Sequence, residues 1–125
     1  MAKRLNLPSR HLLGTEVHAT TYSDTCDRVI RWAAEERSAY LCLANVHMVM
    51  EAYDDPAFRR IVNEADLVAP DGAPISWALR VLGVRDATQV RGPELTRRLC
   101  RRSATENIPV GFYGGAPEVL DRMTS

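Results

Sequence analysis

No run of apolar residues in this chain is long enough to cross a bilayer. The opening "MAKRLNLPSRHLLG" carries positive charge with no apolar stretch behind it, so a secretory signal is not expected there. Net charge is also missing: 16 basic side chains balance 16 acidic ones, and nothing points to a nucleic-acid partner. Cysteine is scarce. Cys26, Cys42 and Cys100 are odd in number and widely spaced, with neither metal-ligand spacing nor a disulfide framework, which favours a reducing cytoplasm. His11, His18 and His47 form no His-x-x-His pair, so a protein metal site is not expected, nor any other cofactor. There is no Walker motif, no Gly-x-Gly-x-x-Gly and no Gly-x-Ser-x-Gly, so ATPase, classical dehydrogenase and serine hydrolase readings lose support. Internal repeats and low-complexity linkers are absent as well.

What is present suits one domain with a real core: 125 residues, 46% hydrophobic and 26% charged. Residues 1–10 read as an N-terminal tail and 11–125 as the domain. "HLLGTEVHA" suggests short strands around Gly14. The next helix has Ser23 or Asp24 as expected caps, with Cys26, Val29, Ile30 and Ala33 on one apolar face. "YLCLANV" and "DLVAP" read as buried strands. Between them, Phe58, Ile61, Val62 and Ala65 repeat at helical spacing after Pro56. Ile75, Ala78, Leu79 and Leu82 give another helix closed by Gly83, and a helix over "PELTRRLCRRSATE" leads to "IPVGFYGG", expected to be a third strand. "APEVLDRMTS" begins one more helix. Strands alternating with helices predict an α/β fold: a Rossmann-like, mostly parallel sheet with helices on both faces. A doubly wound sheet would continue beyond such an ending, so the expected fold is incomplete at its C-terminus, the front portion of a larger domain. An uncovered strand edge invites pairing, so a homo-oligomer is compatible with this pattern.

In open α/β sheets, ligands bind beyond the carboxyl ends of the strands. Three such ends can be read: Asn45 followed by His47, then Asp71 with Gly72, then Gly114 with Gly115. Glycine lets a backbone approach a ligand, and a following helix N-terminus attracts phosphate. Locally, Asp71 reads as a helix cap, because Asp is a preferred N-cap and Pro74 suits a first turn. Asn45 could cap the next helix in the same way, and His47 alone reads as a packing or surface histidine. Between Arg80 and Arg102 lie seven arginines against Asp86 and Glu94; Arg97 with Arg101 and Arg98 with Arg102 stand four apart. A solvated helix face accounts for this run, and a patch for phosphate or an anionic membrane surface is the sharper alternative. Cys100, among these arginines, is taken as core-facing.

Taken in order, "LANVHMVMEAYDDPAFRRIVNEADLVAPDGAPISWALRVLG", "VRGPEL" and "VGFYGGAPEVL" resemble the WecG/TagA/CpsF family of bacterial glycosyltransferases, over about Leu12 to Met123. The resemblance implies an inverting transferase that moves an N-acetylmannosamine-type sugar from a UDP donor to a lipid-diphosphate-linked acceptor. Such products feed cell-surface polysaccharide or teichoic acid synthesis. It implies cytoplasmic work, peripheral on the inner face of the plasma membrane, with the UDP-sugar as substrate and no metal. The family's proposed general base falls on Asp71. The substrate-binding set falls on Asn45, His47, Gly72, Arg91, Gly92, Glu94, Gly114 and Gly115. The chain departs from some members at Leu43, where they carry threonine, at His47, where they carry glutamate, and at Glu94, where a shorter carboxylate is usual. Members also continue further, with a second glycine-rich motif and a basic C-terminal segment. Two other readings stay open: a truncated, non-catalytic nucleotide-sugar-binding module, and an unrelated Rossmann-like binding protein.

Overall fold

The computed structural model describes residues 6–124. The first five residues of the expected tail lie outside them, and the rest of that stretch is not all tail: strand β1 (Ser9–Leu12) already begins within it. β1 pairs antiparallel with β2 (Thr15–His18), and the reversal runs through Leu13 and Gly14, both at positive φ. Helix α1 (Tyr22–Ala34) follows. Its cap is Thr21, not Ser23 or Asp24: Thr21 is extended and its hydroxyl accepts the Asp24 N–H at 3.0 Å. Asp24 instead lies inside the first turn, where its carboxylate takes the Thr20 hydroxyl and the Arg28 guanidinium.

Two parallel strands carry the centre of the molecule. β3 (Leu41–Ala44) and β4 (Leu67–Pro70) pair in the register Leu41↔Leu67 to Ala44↔Pro70. The connection between them is helical: α2 (Val46–Asp54) and α3 (Pro56–Asn63). Asp55 ends the first helix and caps the second, accepting from the N–H groups of Ala57 and Phe58, with Pro56 in the first turn as expected. Ile61, expected on the apolar face of α3, is left exposed at the edge of a narrow stripe centred on Val62. After β4 come α4 (Ala73–Val81), α5 (Gly92–Thr105) and α6 (Pro117–Thr124).

The side chains of the two strands alternate between faces, as a pleated sheet requires. Ala44 and Val68 point into one buried cluster with Val49, Val62, Ile75 and Leu79. Leu41, Leu43 and Ala69 face the other, with Cys26, Val90 and Leu95. Helices therefore cover both faces: α2, α3 and α4 with the hairpin on one side, α1 and α5 on the other. β4 is buried throughout and β3 only half-buried before Ala44. On the edge of β4 away from β3, two groups supply hydrogen bonds: the Val68 N–H donates to His18 Nδ1 at 3.1 Å, and the Pro70 carbonyl accepts the Val90 N–H at 2.6 Å. The expected third strand does not form within the described residues. Ile108 leaves α5 with its N–H on the Ser103 carbonyl, and residues 108–115 join neither sheet. Alternating apolar residues signal a preference for burial, whereas a strand exists only where a ladder partner is in place.

Candidate functional site

The backbone brings three chain segments together at the carboxyl ends of β3 and β4. Ala44 and Pro70 are register partners, so Asn45 and Asp71 are the next residues along neighbouring parallel strands. The Asp71 N–H continues the ladder to the Ala44 carbonyl at 3.0 Å. On the other edge, the Val90 bond to Pro70 brings in the segment that continues as Arg91 and Gly92. Gly92 then comes close to β3: a Cβ built there would stand 3.3 Å from Leu43 Cδ1, so a larger residue would press on that side chain.

Each side chain at this junction has a distinct state. Asn45 caps α2, its carboxamide oxygen accepting the Met48 N–H at 2.8 Å. Asp71 does not cap α4. The cap position is Gly72, at φ 103 and ψ 155, and it provides no side-chain hydrogen bond to the helix. The half-buried Asp71 carboxylate makes no side-chain hydrogen bond or ion pair among the described residues. The local cap reading of this residue is thus set aside, because the glycine after it takes the helix-start position. Arg91, exposed and extended, precedes α5; its guanidinium likewise has no partner among the described residues.

The other predicted site residues stand apart from this pair. His47 is exposed on α2 and paired with Glu51 at 2.7 Å, the surface role that its own sequence context suggests. Glu94, in the first turn of α5, is held by Arg97 and Arg98, each at 2.8 Å. The hydrogen bond from Arg98 keeps its carboxyl below the usual glutamate range. Gly114 and Gly115 both have positive φ, lie exposed in the turn before α6, and have open space where a Cβ would sit. No backbone hydrogen bond ties them to the β3 and β4 ends. The arginine run of α5 is largely spoken for, since Arg102 joins Asp27 and Glu106, leaving the solvated-face reading in better standing than an anion patch. Cys100 is half-buried, and it is Cys26 whose thiol burial pushes up. No group of three His, Cys, Asp or Glu side chains suited to a metal ion occurs among the described residues.

One participant escaped the sequence. The phenol oxygen of Tyr22, at the start of α1, accepts the Arg91 N–H at 3.0 Å. The Arg98 guanidinium lies over the Tyr22 ring, 4.5 Å from its centre. No local pattern announces a bond between residues so far apart in the chain.

The model of the glycosyl transferase WecG/TagA/CpsF family matches residues 10–125. The chain belongs to this family. It is also similar to an N-acetylglucosaminyldiphosphoundecaprenol N-acetyl-beta-D-mannosaminyltransferase from Bacillus spizizenii, 24% identical over 86 residues that cover 69% of this chain and 34% of that protein. The chain thus spans about a third of the length of this curated relative. The WecG/TagA/CpsF match includes Asn45, Asp71 and Arg91, the three residues that the fold gathers at the strand ends. No helix among the described residues is long and apolar enough to cross a membrane.

Proposed function

We propose that the strand-end site serves an inverting glycosyl transfer, moving an N-acetylmannosamine-type sugar from a UDP donor to a lipid-diphosphate-linked acceptor at the inner membrane face. Membership of a glycosyltransferase family supports the reaction class, and the name of the relative supports the sugar and the acceptor. The observation that carries the reading is the state of Asp71: a half-buried carboxylate at a strand end, without a hydrogen-bonded partner and without a capping duty.

In this reading Asp71 takes the proton of the acceptor hydroxyl as its oxygen bonds to the anomeric carbon. The bond from that carbon to the UDP oxygen breaks on the opposite face, and the electron pair leaves with the diphosphate. Negative charge grows on that leaving group. This reading assigns its reception to the Arg91 guanidinium, which has no partner among the described residues, and to the first N–H groups of α5, which no side chain caps. A metal is not required for this part of the chemistry.

The test is transfer of radiolabelled sugar from its UDP donor to a lipid-diphosphate acceptor by the chain and by its Asp71→Asn form. The substitution should lower the rate by about 10²- to 10⁴-fold and leave the melting temperature within error, since no hydrogen bond among the described residues uses this carboxylate. Equal rates in the two forms would remove Asp71 from the chemistry. UDP binding with no transfer by either form would favour the non-catalytic nucleotide-sugar-binding module.

A further inference from the structure

We propose that Tyr22 is a positioning residue for Arg91, holding the main chain from which that guanidinium reaches the strand ends to hold the donor's diphosphate; this rests on the donor-binding role given to Arg91 above. Arg91 reaches the site through two main-chain anchors outside its own helix. On one side Val90 is bonded to Pro70 of β4. On the other, its own N–H is bonded to the Tyr22 phenol. The first anchor belongs to the sheet and the second to α1. The Arg91 carbonyl also accepts the Leu95 N–H at 2.9 Å, the first bond of α5, so the Tyr22 bond acts on the N–H side of the residue, while the exposed arginine side chain keeps rotamer freedom of its own.

The phenol is itself held. Thr21, the residue before it, caps α1 and so fixes where the helix begins. Arg98 lies on the ring, and Glu94 grips Arg98 at 2.8 Å. Glu94, Arg98 and Arg91 all belong to α5 or its cap, so the ring of Tyr22 is clasped by one helix at two places, over its face and at its hydroxyl. The carboxylate that the sequence suggests as a ligand-binding group therefore acts one step back. It orients Arg98, which steadies Tyr22, which sets Arg91. Binding is strengthened when a group is held in its bound position beforehand, because less ordering remains to be done.

The experiment is calorimetric titration of UDP into the 125-residue chain, its Tyr22→Phe and Arg91→Ala forms, and the double variant. Phe keeps the ring for Arg98 and removes only the acceptor. Tyr22→Phe should weaken UDP binding roughly 2- to 10-fold, the worth of one hydrogen bond, and should have no further effect when Arg91 is already alanine. A purely structural role of Tyr22 would weaken binding equally in both backgrounds, and that result overturns the proposal. So does unchanged affinity of Tyr22→Phe where Arg91→Ala weakens binding, although the strand-end reading would then survive. If UDP binds and Arg91→Ala has no effect, or UDP does not bind at all, the donor role of Arg91 fails and the proposal with it. Should Tyr22→Phe melt early, Arg98→Gln frees the ring while keeping the phenol. The expected result is again a loss of affinity that vanishes without Arg91, and a loss that persists there counts against the proposal.

Discussion

Gly72→Ala tests the geometry on which the Asp71 argument depends. Gly72 sits at φ 103 and ψ 155, a region that only glycine occupies readily. There is room for a methyl group: the nearest atom to a built Cβ is Pro74 Cδ at 3.8 Å, an ordinary contact. The cost of alanine is therefore conformational and not steric, about 1–3 kcal/mol for such a backbone. Alanine also restricts the unfolded chain, which offsets about 0.4–1 kcal/mol. The net loss should be about 0.5–2.5 kcal/mol, a large part of the margin of a domain of this size. That corresponds to a drop in Tm of roughly 2–10 °C, read by circular dichroism and cross-checked by urea titration. Gly111→Ala is the control, because Gly111 lacks a left-handed φ and has open space around it; it should melt with the parent. If Gly72→Ala and Gly111→Ala melt together, Gly72 does not hold this conformation, and Asp71 could be the cap after all.

Two other outcomes follow from the fold and its charges. His18→Leu removes the acceptor of a buried β4 N–H, so urea unfolding near neutral pH should show a loss of about 1–3 kcal/mol for the orphaned donor alone; a difference of a few tenths would mean that β2 is not anchored to β4 in this way. Glu94 has its carboxyl pKa lowered chiefly by the Arg98 hydrogen bond, so the stability it contributes is present above its unfolded value and is lost as pH falls through its lower folded value. Glu94→Gln should thus melt below the parent near neutral pH, with the gap closing through that acid window; a gap that stays constant with pH would rule out the ionised pair as its source.

Much of the scaffold could be read from the residues, because its signals are local. "YLCLANV" and "DLVAP" are short apolar runs bounded by polar residues, and both became strands that share one ladder. Pro56 suits a first helical turn, and α3 does begin there. The failures have physical causes. The cap of α1 fell on Thr21 because Thr21, Ser23 and Asp24 each offer an oxygen and only the surrounding backbone decides which residue is extended. "IPVGFYGG" has the composition of a strand, yet no ladder partner meets it among the described residues. At Asp71 the preference of Asp for caps competed with the freedom of Gly72, and the glycine took the place. The resemblance marked Asn45, Asp71 and Arg91, which the fold does gather. It could not show that Glu94 would be taken by its own helix neighbours, or that Tyr22, distant in the chain, would hold the third member of the group.

The double flanking of β4 has a consequence for how the chain becomes competent. Asp71 follows a strand that is bonded on both edges, to β3 on one side and to His18 and Val90 on the other. None of these partners is near it in sequence, so the carboxylate gains its setting only after the hairpin, the α2–α3 crossover and the start of α5 have each closed a long loop. Contacts of that kind must overcome the entropy of closing those loops before they stabilise anything. A nascent or partly opened chain would carry the same aspartate as an ordinary solvated side chain, without Asn45 or Arg91 beside it. On the proposed reading, chemistry at this site would therefore require the completed tertiary structure.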